Sequence, residues 1–193
     1  MRARLRHILR VYRRGIIFCA GIFFGAVFVI SYWGLYPIAV VNGDWVSARR
    51  FNLHMNAAEQ YETQEAATST NPSVLRSKDL TVSIVSGLIE EQLIRQGAEK
   101  EFGAELKNLE RQRTNAFLER ASSIEAESKK YGLNKEKFEK EILRPQVVRD
   151  LLAGRLFLKS LRLEDWLLAE KRKASVSIFS EIFLWNGEEV VAR

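Results

Sequence analysis

The chain has 193 residues, room for one modest domain and a membrane segment, and its lone Cys19 excludes an internal disulfide or a cysteine-based zinc cluster. Its formal charge of +6 is local: Arg2, Arg4, Arg6, Arg10, Arg13 and Arg14 are six of the 30 Lys+Arg, the other 24 are matched by 24 Asp+Glu, and no acidic residue precedes Asp44. The chain beyond the tail is therefore formally neutral and lacks the basic footprint of phosphate recognition, so no nucleic-acid partner is expected.

Residues 1–14 read as an Arg-rich cytoplasmic tail, and residues 16–36 are free of charge. Twenty-one residues at ~1.5 Å each span roughly 31 Å as a helix, enough for a hydrocarbon core of about 30 Å. Ile16, Phe23, Phe24 and Phe28 supply apolar anchors, while Tyr32, Trp33 and Tyr36 gather at the end where amphipathic rings favour the headgroup layer. The arginines flank the other end, so a transmembrane helix over residues 15–37 is expected, in the inner (cytoplasmic) membrane, with the N-terminus cytoplasmic and residues 38–193 periplasmic or extracellular. A cleaved signal peptide is the alternative. Its apolar region would be shorter, and the best small-residue site, ending at Ala39, has Pro37 two positions earlier. Gly21 and Gly25 have the spacing of a close helix–helix seam, which suits either a homodimer or a lone lipid-facing helix.

After Pro37, residues 38–41 form a short β-branched run, Asn42-Gly43 is a turn pair, and residues 44–46 extend the run. Ser47 is a good N-cap for a helix carrying Phe51, Leu53, Met55, Ala58 and Tyr61, and residues 66–77 read as a loop. A second helix starts near Ser77 or Asp79, with Val82, Val85, Leu88, Ile89, Leu93 and Ala98 on one stripe, and stops at Phe102-Gly103. A third is expected over residues 104–130. Its sparse apolar face (Leu106, Leu109, Phe117, Ile124) suggests a long exposed arm. Gly132 closes it, Asn134 caps the next helix, and Leu133 with Phe138 occupies the two positions of a hydrophobic staple. Pro145 falls inside the following pattern, where it must kink or restart the helix. Val147, Val148, Leu151, Leu152, Leu156 and Phe157 continue the apolar face, and a last helix covers residues 163–173 with Trp166 and Leu167 as anchors. Residues 175–179 and 181–185 are β-type, and Asn186-Gly187 signals a terminal hairpin. The strand at 38–41, lacking a local partner, is free to pair with one of these.

Reactive groups are scarce. His7 lies in the tail, and His54 reads as a partly exposed helix residue with no nucleophile elbow to serve. Glu90-Glu91 and Glu125 with Glu127 read as solvated helix faces. No catalytic, cofactor-binding or metal site is assigned.

The order of elements carries a resemblance. Val40-Val41-Asn42-Gly43-Asp44-Trp45-Val46-Ser47, with Phe51 four residues on, resembles the opening of the SurA-type chaperone domain shared with the PpiD and PrsA foldases. Residues 80–102, with Leu88, Ile89, Leu93 and Ala98, and residues 131–138 leading into 147–156, are similar to later elements of that domain. The resemblance spans most of residues 38–173 and implies a mainly helical domain that cradles unfolded, nascent or secreted polypeptides in an apolar cleft. Only 19 residues follow Ala174, too few for the parvulin domain many members carry, so the resemblance implies the chaperone part without isomerase activity. Phe51, Met55, Leu88, Phe117 and Phe138 are the candidate peptide-binding residues. The alternative is a structural protein that binds one fixed envelope or secretion partner.

Overall fold

The computed structural model describes residues 34–68, 77–120 and 124–193, and residues Pro37–Arg193 form one compact unit, mainly helical with small β elements. The assigned anchor residues Ile16, Phe23, Phe24, Phe28 and Trp33, and the Gly21/Gly25 pair, lie outside the described residues. Tyr36 is half-exposed. No helix among the described residues is long and apolar enough to cross a membrane.

The unit opens on a hairpin. Asn42 and Gly43 both have positive φ (52° and 94°), as a two-residue turn of the hairpin hand requires. They join β1 (Pro37–Val41) to β2 (Asp44–Ser47) in the register Val41↔Asp44, Val40↔Trp45 and Ala39↔Val46. Strand β1 therefore has a local partner after all, and its other edge also takes β3 (Val176–Ile178), antiparallel, with Ala39↔Ile178 and Val41↔Val176. Ala39, Val41 and Val46 face the core, while Trp45 is exposed. The turn is clasped to the rest: Asn42 Nδ2 donates to Gln96 Oε1 (2.8 Å), and Gln96 Nε2 donates to Asp44 Oδ2 (2.6 Å) and the Val41 carbonyl (3.0 Å).

Helix α1 (Ala48–Thr68) starts where Ser47 Oγ accepts from the Arg50 N–H (3.3 Å), and it continues past the start of the expected loop. Helix α2 (Ser77–Phe102) is the central element. Its stripe of Val85, Leu88, Ile89, Leu93 and Ala98 is buried against the strands and the later helices. Gly103, at φ 54°, ends it in a short 3-10 turn.

The expected single helix over 104–130 is two, α3 (Leu106–Arg120) and α4 (Ile124–Lys130). Nor is α3 a free arm. Leu106, Glu110 and Thr114, one turn apart along one face, are buried, and the helix lies against a later one. A face made of one leucine, a threonine and the stem of a glutamate reads as polar although it is packed. At the end of α4 the Leu133 N–H bonds the Ser128 carbonyl and the Gly132 N–H that of Lys129, both 3.0 Å, the paired closure that needs a left-handed residue at Gly132 (φ 61°).

Asn134 Oδ1 accepts from the Lys137 N–H (2.8 Å) to cap α5 (Lys135–Phe138). The chain then widens into a π-helical turn (Glu139–Leu143) before α6 (Arg144–Phe157). The wider turn sits directly before Pro145, whose ring would otherwise meet the carbonyl four residues back. Helix α7 (Leu163–Lys173) buries Leu163 and Leu167 and lays Trp166 on the backbone of α2 at Gly97. Strands β4 (Phe183–Trp185) and β5 (Val190–Ala192) form the terminal hairpin, and Asn186 Oδ1 accepts from both the Glu188 and Glu189 N–H groups in its turn. The core thus lies between the three-stranded sheet, α2, α6, α7 and this hairpin.

Candidate functional site

One side of the unit opens into a cleft of about 1040 Å³. The first turns of α1 supply Arg49, Arg50 and Leu53, and α2 supplies Glu91, Gln92 and Arg95. Helix α3 presents Lys107, Asn108, Glu110 and Arg111, and Lys107 and Arg111, four residues apart, are neighbours on its surface. The opposite wall is Asn134, Glu136 and Lys137 around α5, Lys140 and Glu141 from the π-helical turn, and Arg144 with Pro145.

Part of this charge is spent on tying the helices together. The Arg50 guanidinium bonds Glu91 of α2 and, through Nε, Glu141 Oε2 at 3.2 Å. Arg95 Nη1 reaches Glu110 Oε2 of α3 at 3.7 Å, and Lys140 lies 3.8 Å from Glu141. Burial pushes the Glu91 carboxyl above the usual carboxylate range, and the Arg50 guanidinium offsets only part of that. Burial, seconded by Arg50, holds the neighbouring His54 imidazole below its ordinary value against the opposing pull of Glu141. His54 Nε2 is buried with no hydrogen-bond partner among the described residues.

The remaining charge is one-sided. Eight Lys and Arg side chains line the cleft against four carboxylates, and three of those carboxylates are held in the ion pairs just described. Among the described residues Arg49, Lys107 and Lys137 have no ion pair, and Arg111 is held only by Asn108 Oδ1 at 3.3 Å. The formal neutrality of the domain conceals this, because the sum over the sequence cancels charges that the fold keeps apart.

The sequence-based peptide-binding residues do not meet here, and none lines the cleft. Leu88 is 2% exposed and Phe138 is 8% exposed; both are core residues, so neither is available to a guest. Phe138 lies against Tyr131 (5.7 Å between ring centres), which stacks on Tyr61 at 5.1 Å. Phe51 is half-buried against the core, Met55 is half-buried on α1, and Phe117 is half-exposed on α3. The apolar stripes point inward, so the cleft between the helices is lined mainly by charged and amide side chains, with Leu53, Pro145 and the stems of those side chains as its apolar part. The Glu90-Glu91 pair is not a solvated face either: Glu90 accepts from Lys171 Nζ (2.5 Å), tying α2 to α7, while Glu91 holds Arg50. Glu125 and Glu127 do sit on an exposed face, beside Lys129 and Lys130.

No protein-family model, no curated protein and no solved structure matches this chain. Among the described residues no group of three or more His, Cys, Asp or Glu is placed to hold a metal ion.

Sequence reasoning missed the cleft residues Arg49, Lys107, Arg111 and Lys137. The one-turn spacing of Lys107 and Arg111 was a usable signal, but nothing local says that three elements turn these cations toward a common space. It also missed an apolar surface at the end of α6, where Phe157 and Leu158 are each 79% exposed and Leu161 is half-exposed. Leu156-Phe157-Leu158 are consecutive, and at about 100° per residue they cannot share a face: Leu156 takes the core and the other two are left outside.

Proposed function

We propose that this chain is a membrane-anchored, chaperone-like domain of the SurA N-terminal type that binds unfolded or nascent polypeptides outside the membrane without isomerase activity. The observation that carries the reading is the open cleft of about 1040 Å³ between α1, α2, α3 and the π-helical turn. That volume is at the upper end for small-molecule pockets and suits an extended segment better than a compact ligand. An extended chain exposes unpaired N–H and C=O groups at every residue, and a lining that mixes guanidinium, amide and carboxylate groups can bond both. The exposed Phe157, Leu158 and Leu161 give a second surface, on which the apolar side chains of a client would be shielded from water. The hairpin, the capped first helix and the long second helix follow the order on which the SurA-type resemblance rests. Tethering would raise the concentration of the domain near emerging chains.

The test is suppression of aggregation. The full chain in uncharged detergent should reduce light scattering by a denatured model protein at near-equimolar ratio and bind unfolded peptides. Failure in both assays would remove the proposal. A second reading, one fixed partner, is favoured by the defined ion pairs of the cleft, since placed charges confer specificity more than breadth. Crosslinking in cells separates the two: a single recovered partner with no general peptide affinity would establish the second.

A further inference from the structure

We propose that the cleft selects extended polypeptide segments rich in Asp and Glu. The proposal rests on the polypeptide-binding reading and adds its substrate class.

Four cations ring the cleft without a carboxylate partner among the described residues: Arg49 on α1, Lys107 and Arg111 on α3, and Lys137 on α5. They come from three separate elements and are all exposed, so none serves to hold the fold together. Beneath them Arg50 and Arg95 are already neutralised by Glu91, Glu141 and Glu110, and those pairs brace the walls. The cleft therefore has a charge-balanced floor and an unbalanced positive rim. Such a rim in a concave surface concentrates the field and draws in negative ligands. Its cations repel one another until an acidic guest relieves them. Exposed pairs of this kind are individually weak and salt-sensitive, which suits transient capture and release.

The guest is a peptide in preference to a nucleic acid because the floor of the cleft is charge-balanced and the exposed Glu136 adds a carboxylate with no ion pair among the described residues. A continuous phosphate ladder needs unpaired cations along its whole length, whereas a polypeptide carries carboxylates only at intervals and offers N–H donors between them. Asn108 and Gln92 add amide groups to the lining.

The experiment measures fluorescence anisotropy of three labelled extended peptides of equal length and apolar content, acidic, uncharged and basic, against the full chain in uncharged detergent. The acidic peptide should bind about tenfold tighter than the uncharged one at low salt, and the preference should shrink severalfold at several times the ionic strength. The combined variant Arg49→Glu, Lys107→Glu, Lys137→Glu should lose the preference while melting like the parent. Replacing the six tail arginines with Gln should leave it intact. Equal affinity for acidic and uncharged peptides would overturn the selectivity and leave polypeptide binding standing, whereas no binding of any peptide would overturn both. Loss of the preference in the tail variant, or a single-stranded oligonucleotide that competes at the same concentration as the acidic peptide, would also overturn it.

Discussion

Gly97 offers a sharp test of how α7 meets α2. A Cβ built on Gly97 would lie 2.4 Å from both Cζ2 and Cη2 of Trp166 and 3.3 Å from Leu152 Cδ2, where ordinary contact is 3.4–4 Å. In Gly97→Ala the indole must retreat by about an ångström from a half-buried seat among packed helices, an overpacking cost of about 1–3 kcal/mol. Against it stands the helix propensity gained when Gly becomes Ala, about 1 kcal/mol. The net is a loss of about 1 kcal/mol, or roughly 2–4 °C in Tm for a unit of this size. In a Trp166→Leu background the distant part of the ring is gone, so the same substitution should change sign and stabilise by about 1 kcal/mol. Thermal melts followed by far-UV circular dichroism of the four members of this cycle measure the coupling without relying on tryptophan emission. If Gly97→Ala stabilises equally in both backgrounds, the indole does not rest on that backbone and α7 does not pack on α2 through Trp166.

Leu88→Ala should cost about 2–5 kcal/mol in the same melts, with peptide affinity of the folded fraction unchanged, because Leu88 fills the core. Ser160 sits at φ 59° in the turn after α6, where the Leu161 N–H bonds the Leu156 carbonyl. Ser160→Gly should therefore raise stability by about 0.5–1 kcal/mol, seen as a higher Tm. Burial and Arg50 lower the His54 value in the folded state, so the unfolded state gains its proton first as pH falls below about 6.5, and stability declines from there downward. His54→Leu should flatten that decline between pH 7 and 5. Glu91 acts oppositely: its raised folded value means that the folded state takes up its proton first as pH falls, adding stability that disappears as pH rises from the ordinary carboxylate range through the raised value. Glu91→Gln should therefore steepen the acid loss of stability.

Much of the fold was legible in short stretches of sequence. Asn42-Gly43, Ser47, Gly132 and Asn134 act within a few residues of themselves, and each took its expected role as turn, cap or stop. The boundaries of α2 and α7 followed from periodicity bounded by such signals. Pro145 announced a disturbance, but whether a kink, a break or a wider turn would absorb it depended on the packing of α5 and α6, and the π-helical turn resolved it. The reading of 104–130 as a long exposed arm failed because the buried face of α3 is one leucine, a threonine and the stem of a glutamate, which a hydropathy pattern scores as solvated.

The candidate site was the least legible part. Leu88 and Phe138 were chosen from apolar stripes, and a stripe faces whatever neighbour buries it, here the core. By itself the sequence determined the hairpin, the helix starts and stops, and the near-equality of charge beyond the tail, because each depends on neighbours in the chain or on a sum. Tertiary structure decided that α1, α3 and α5 bring Arg49, Lys107, Arg111 and Lys137 to one cleft while Arg50 and Arg95 are neutralised beneath them. Charge that cancels along the chain need not cancel in space, since electrostatic interaction falls with distance and is screened within about 10 Å.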